Sequence, residues 1–396
     1  MRSSVMIFVV GILFIVITDG TLWYQLRKYI HKRYQIILYS LHTLFFLLAL
    51  IMFQYGISRL KGPGAYFWIE KFIGLFFLFY VPKLFFILFN GISILLRSCC
   101  LLFSKSLRML ATFFSLSLFL ILLYSITLGR YNYKLETVEV PIAYLSEAFR
   151  NFKIVQLSDI HLGSFGPGYK GMEKLVDQVN QLQPDVIVFT GDMVNNFADE
   201  MIPWIDVLGK LHAPYGKYAV TGNHDYGDYT HWPDTRAKQN NMTQFFRNME
   251  AMGFRMLNNR SIPLVIRQDT LWLAGVENWG KPPFPRYGKL TEAIDSIQHP
   301  RPIVLLSHDP SHWRAEILDH PNIYLTLSGH THAMQFGIKI GPKKWSPASY
   351  IYPEYDGLYQ QGDQYLHVSR GQGYLGYPGR IGLSPVITEL ILTTGK

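Results

Sequence analysis

Five short stretches of the chain end in side chains that could grip a metal or move a proton. They are "SDIH" with Asp159 and His161, "TGD" with Asp192, "GNHD" with Asn223 and His224, "SHD" with His308, and "GHTH" with His330 and His332. Carboxylate and imidazole donors without thiolate suit Mn²⁺, Fe or Zn²⁺ better than Ca²⁺. A D-x-H or H-x-H in extended backbone would point both side chains to one face and so offer two ligands to one centre. Single histidines often sit hydrogen-bonded in cores, but two that flank Thr331 beside Gly329 fit that role poorly. His330 and His332 are read as metal ligands.

The elements that must position these residues are short apolar runs closed by polar ones: "KIVQLSDIH", "DVIVFTGD", "YAVTGNHD", "LWLAGVE", "IVLLSHD", "IYLTLSGHTH" and "QYLHVSRG". Their length and their Gly and Asp boundaries predict buried strands. Between the first two, Met172, Leu175, Val176, Val179 and Leu182 recur at helical spacing, which predicts a βαβ unit. A second helix is expected over 245–254. Ligands gather at the carboxyl ends of strands in open α/β folds, where loops converge.

These motifs, in this order, resemble those of the calcineurin-like metallophosphoesterases, in a membrane-anchored bacterial-type branch, over about residues 150–395. Each motif is weak alone; five in order at strand ends are specific. The resemblance implies a four-layer α/β/β/α sandwich with two divalent metals between loops at one edge. Carried over by motif, one metal takes Asp159, His161 and His332, the other Asn223, His308 and His330, and Asp192 bridges both. The implied reaction is in-line attack of a metal-activated water on phosphorus. His224, directly after Asn223, is then the catalytic proton donor or charge stabiliser beside the leaving oxygen. Many members carry an acid three residues after the bridging Asp to orient that histidine; here Asn195 stands there, so either Asp225 or Asp228 substitutes or His224 is a weaker acid–base group than the family norm.

Two further stretches are singled out. "SRGQGYLGYPGR" is Gly-rich and carries Arg370 and Arg380, candidate phosphate-binding groups, or it simply turns the chain. The loop 341–359 holds Trp345, Tyr350, Tyr352, Tyr355 and Tyr359 with Lys343 and Lys344. Coming just after His332, this loop is expected to border the site, with a composition that suits a membrane interface, or else to form a satellite aromatic core. The loop 278–288 reads as stiffened by proline.

Composition divides the chain sharply. Residues 1–134 hold 14 of the 37 Lys and Arg against Asp19 and Glu70 alone; the remainder has 37 − 14 = 23 bases and 28 − 2 = 26 acids. A C-terminal net of −3 disfavours a nucleic-acid partner, because backbone binding needs cations on the binding domain. Four apolar stretches, about 5–25, 36–57, 72–96 and 109–129, each near the ~20 residues a bilayer-crossing helix needs, predict a four-span anchor over 1–134. The phosphoesterase domain then covers 135–396. The two cysteines, Cys99 and Cys100, lie near a span boundary and exclude a thiolate site in the C-terminal domain. "RKYIHKR" after the first span favours a cytoplasmic first loop, and hence an extracytoplasmic C-terminal domain. Asp19 in span one and Lys83 in span three fall at similar depths, which fits an intramembrane ion pair or, equally, a Lys83 that snorkels and an Asp19 that reaches the interface.

Taken together, these readings predict a membrane-anchored phosphohydrolase acting on a phosphodiester, pyrophosphate or monoester of a small molecule or lipid-linked substrate at the bilayer. Membrane-associated relatives include hydrolases of UDP-diacylglucosamine, a chemistry that needs a cytoplasmic domain. Competing readings are a catalytically silent metal-binding scaffold in the membrane and, less favoured, a nuclease.

Overall fold

The computed structural model describes residues 2–59, 62–98, 100–166, 170–282, 284–297, 301–341 and 343–395. Lys61 and Cys99, together with Pro283 and Pro342 of the two loops singled out above, lie outside them. The chain forms two compact units: Met1–Leu128 with Gly376–Gly379, and Gly129–Leu375 with Arg380–Lys396.

The first unit is built from helices α1 (Arg2–Leu26), α2 (Arg33–Arg59), α3 (Gly64–Leu95) and α4 (Leu101–Thr127). All four are long and apolar enough to cross a bilayer. Helices α3 and α4 begin well ahead of the apolar windows at 72 and 109, because helix formation continues through polar turns that hydropathy excludes. The ion pair is made: Lys83 Nζ lies 2.7 Å from Asp19 Oδ1. Thr43 and Tyr80 donate to the other carboxylate oxygen at 2.7 and 3.1 Å, and Lys83 Nζ meets His42 Nε2 at 2.6 Å. An intramembrane charge is tolerable only with partners of this kind.

The second unit opens with β1 (Lys134–Ile142) and β2 (Lys153–Leu157), followed by α5 (Gly171–Gln181), β3 (Val186–Phe189), α6 (Ile205–Leu208), β4 (Lys217–Ala219), α7 (Thr235–Ala251) and β5 (Phe254–Met256). Strands β6 (Arg260–Ile266) and β7 (Asp269–Gly275), α8 (Leu290–Ile294), β8 (Ile303–Leu306), α9 (Ser311–Ala315) and β9 (Ile323–Ser328) come next. The hairpin β10 (Ile338–Ile340) and β11 (Lys343–Trp345) precedes β12 (Gly357–Gln361), β13 (Gln364–Val368) and β14 (Val386–Thr394). Two six-stranded mixed sheets result, ordered β1-β14-β2-β3-β4-β5 and β12-β13-β9-β8-β7-β6.

Period-two alternation builds the layers. In β3, Val186 and Val188, with Leu390 of β14, face Leu306 and Leu327 of the second sheet, while Ile187 and Phe189 face Val176 and Val179 of α5 and Met249 of α7. On the far side Ala293 of α8 and Trp313 of α9 cover β8 through Leu305. Each fully buried aliphatic side chain contributes about 1.5–3 kcal/mol. This is the four-layer sandwich the motifs implied. Strands β2, β3 and β4 run parallel in one sheet, β8 and β9 in the other, so their carboxyl ends deliver all five motif loops.

All seven expected strands are present. The second helix differs from its expected range: α7 starts at Thr235, capped by Asp234 Oδ1 on the Ala237 N–H at 2.7 Å, and Phe254 already belongs to β5. Only the C-terminal end of α7 carries an apolar stripe, and the cap rather than hydropathy sets its start.

Candidate metal centre

The loops after the strands do not leave in extended form. Asp159, His161, Asp192, His330 and His332 all have φ between 48° and 73°. The alternation expected for D-x-H and H-x-H is therefore replaced by left-handed turns, which reverse each loop and bring its side chains back over the sheet edge. Non-glycine residues in that region are strained by about 1–3 kcal/mol each and persist where the surroundings over-determine them. Glycines make room for the return. A Cβ on Gly191 (φ 98°) would meet His308 Nδ1 at 2.6 Å, and one on Gly329 would meet Asp159 Oδ2 at 2.2 Å.

Two clusters able to hold an ion result: Asp159, His161 and His332, and Asp192, His308 and His330. His332 Nε2 lies 3.1 Å from His161 Nε2 and 3.4 Å from Asp159 Oδ1. Asp192 Oδ2 lies 3.2 Å from His308 Nε2 and 3.6 Å from His161 Nε2, so one carboxylate oxygen faces both clusters. Asn223 Oδ1 joins the second at 3.2 Å from His308 Nε2. All seven residues expected as ligands are brought together.

The outer hydrogen bonds assign the tautomers. His308 Nδ1 donates to the Thr190 carbonyl at 2.7 Å, and His161 Nδ1 to Asn195 Oδ1 at 3.0 Å. Both Nε2 atoms therefore point inward, the arrangement a metal-binding imidazole needs. Burial opposes the charge on His308, but Asp192 pushes its pKa up to about 10, so an ion there would displace its Nε2 proton. Burial holds His161 down to about 3, His330 to about 4 and His332 well below the usual imidazole range, so these rings stay neutral and able to coordinate. Burial opposes ionisation of Asp192, but His308 and His224 overcome it and hold its carboxyl well below the usual range. Asp159 is pushed up to about 7 by burial and by the neighbouring Asp192 charge.

His224 is half-buried, its ring 4.9 Å from that of His161. Its Nδ1 donates to the Asn195 main-chain carbonyl at 2.9 Å, and its N–H donates to Asp192 Oδ1 at 2.9 Å. The Asn195 side chain thus orients His161, while its backbone orients His224. Neither Asp225 nor Asp228 substitutes. Asp225 accepts the backbone N–H groups of Asp192, Met193, Val194 and Gly222, tying two motif loops together. Asp228 engages Lys238 and the Tyr287 hydroxyl.

The two arginines bond within the protein. Arg370 is buried, with bonds of 2.8 Å to both Glu136 and Asp356 and a third to the Ser384 carbonyl. Arg380, equally buried, donates to the carbonyls of Gly373, Arg370 and His332. Both guanidinium groups secure the Gly-rich loop, in keeping with the reading that this stretch turns the chain. Tyr352, in the loop expected to border the site, does so, with its hydroxyl 2.8 Å from His330 Nε2. What motif reading did not find is the rest of the aromatic rim: Tyr229, whose hydroxyl accepts from Asn223 Nδ2 at 2.9 Å, and the Phe284 ring edge-on to His330. These lie in loops with no periodic signal.

Residues 152–334 match the family model for calcineurin-like phosphoesterase. A Bos taurus "transmembrane protein with metallophosphoesterase domain" is 34% identical over 65% of this chain and 56% of its own length. An uncharacterised metallophosphoesterase of Bacillus subtilis is 32% identical over 65% of this chain and 85% of its own. A solved dimetal phosphatase from Danio rerio aligns over 56% of this chain and 88% of that one, at 9% identity and a TM-score of 0.35. The chain belongs to the calcineurin-like metallophosphoesterase family, whose members bind two divalent metals. It spans little more than half the length of the vertebrate relatives it matches. Relatives from both vertebrates and bacteria show that the resemblance is not confined to a bacterial branch. With four bilayer-length apolar helices, it is a membrane protein.

Proposed function

We infer that this chain is a membrane-anchored dinuclear-metal phosphohydrolase that cleaves a phosphodiester, pyrophosphate or phosphomonoester on a membrane-associated or lipid-linked substrate. The observation that carries the reading is Asp192, with one carboxylate oxygen facing imidazoles of both clusters. Asp159, His161 and His332 would hold one ion, Asn223, His308 and His330 the other, and Asp192 both. Imidazole and carboxylate donors favour Mn²⁺, Fe or Zn²⁺. When bound, such a pair neutralises phosphate oxygens and makes water a nucleophile near neutral pH.

The chain's own residues supply the rest. The bond from His224 Nδ1 to the Asn195 carbonyl leaves Nε2 to carry the proton that a departing oxygen needs, or to stabilise its charge. Half-buried His224 and His330 form the accessible side of an otherwise buried site. Tethering over residues 1–134 favours a substrate at the bilayer for the unit over 135–396, and the net of −3 there disfavours nucleic acid. The basic run 27–33 favours an extracytoplasmic side for this unit; a topology reporter fused after Lys396 tests that side.

The full chain in lipid nanodiscs with Mn²⁺ should hydrolyse bis(p-nitrophenyl) phosphate. Asp192→Ala should lose both metal and turnover. His224→Ala should keep two ions per chain while turnover falls by about 10²–10⁴-fold. A fully loaded wild-type chain inert towards diester, pyrophosphate and monoester probes would mean a silent scaffold instead.

A further inference from the structure

Hairpin β10–β11 is a sheet of two strands by itself, joined to neither large sheet. Its register pairs Ile338 with Trp345, Lys339 with Lys344 and Ile340 with Lys343. Paired residues share a face, and successive residues alternate. One face thus carries Ile338, Ile340 and Trp345 with Lys343; the other carries Lys339 and Lys344. The lysine face is turned to the body of the unit, where Lys344 bonds Glu136 and Asp356 at 3.5 and 3.0 Å beside a cleft of about 310 Å³ that Lys134 and Lys339 also line. The apolar face is bare: Ile338 is 49% exposed, Ile340 75% and Trp345 41%. Tyr350, 80% exposed, continues the patch edge-on to Trp345. The small core beneath takes Tyr355, Ala348 and Leu383 and covers none of these.

A two-stranded ribbon is marginal in water, and a contiguous exposed apolar patch marks an interaction surface. We propose that this hairpin is a second attachment of the phosphoesterase unit to the bilayer, seating Ile338, Ile340 and Trp345 at the interface of a leaflet with anionic headgroups. Composition fits that occupant: Trp and Tyr are the side chains of membrane interfaces, and Lys343, on the same face, can extend its ammonium group to phosphate. Reach fits as well. Helix α4 ends at Thr127 and β1 opens at Lys134, which lines the same cleft as the hairpin. Seven residues of chain span at most about 25 Å. The hairpin is also close in the chain to the metal loops, since His332 precedes Ile338 by six residues and Tyr352, bonded to His330, follows Tyr350 by two. A bilayer held there would present a headgroup phosphate beside the site.

The test uses the full chain in nanodiscs with Cys99→Ser and Cys100→Ser, and a fluorophore on Ile340→Cys or, as control, on Val265→Cys, 52% exposed elsewhere on the unit. The label at 340 should be quenched severalfold more by acyl-chain nitroxides than by aqueous iodide, and the label at 265 the reverse. Lys343→Glu should reduce that lipid quenching in anionic discs far more than in zwitterionic ones. Iodide quenching at 340 equal to that at 265 overturns the proposal. So does a label shielded only when two chains share a disc, which would assign the patch to a second copy. No readout depends on hydrolysis, so this surface stands or falls apart from the enzymatic reading.

Discussion

Asn195 sets the character of the site. Its Oδ1 faces His161 Nδ1, its main-chain carbonyl faces His224, and its N–H is held by the buried Glu200 carboxylate at 2.5 Å. Partners that orient a ligand imidazole typically contribute 10–100-fold to metal affinity. Asn195→Ala should therefore weaken binding at one of the two positions by about that factor, read as stepwise loss of the second equivalent during chelator titration. Asn195→Asp gives His161 an anionic partner and should tighten the same position. The ligand types and their order were legible because each motif is local. The side chain that orients His161 was not, because the 3.0 Å contact joins residues 34 positions apart.

At the scale of elements, backbone conformation places the ligands. After His332 the chain stays left-handed through Ala333, Met334 and Gln335, with φ of 48°, 47° and 55°. The turn is held by Ser346 Oγ on the Ala333 carbonyl at 2.6 Å and by Gln335 Oε1 on the Leu375 N–H at 2.6 Å. Met334 is 43% exposed, so its side chain packs little and its backbone dominates any substitution. Met334→Val should destabilise the unit by about 1–3 kcal/mol, whereas Met334→Gly should not; thermal melts of the two variants decide it. No propensity rule predicts four consecutive left-handed non-glycine residues, so the sequence reading took "GHTH" as extended. The strands feeding it were legible from their apolar runs. Strand β1, with half of its face exposed, was not.

Across the whole molecule, charge pairing separates what is essential from what is replaceable. Asp19→Ala leaves Lys83 unpaired within a membrane helix and should cost about 3–5 kcal/mol in unfolding from lipid. The reversed pair, Asp19→Lys with Lys83→Asp, should recover more stability than either single reversal. In the second unit burial opposes ionisation of Glu136, but Arg370 and Lys344 hold its carboxyl down at about 2. A depressed folded-state pKa contributes stability present above the ordinary value and lost as pH falls. Wild type should therefore exceed Glu136→Gln in melting temperature at neutral pH, and the gap should close as pH falls from 4.5 towards about 2.

From its residue order alone this chain determined two things: which segments are too apolar to leave lipid, and which strand ends carry imidazole and carboxylate. Both follow from side-chain chemistry read within a few residues. Only the tertiary structure decided that Asn195 orients both His161 and His224, that Arg370 and Arg380 are held internally, and that one face of a small hairpin is left bare. The first two depend on groups far apart in the chain meeting within about 4 Å, the third on none doing so. Periodicity and composition carry no information about that distance.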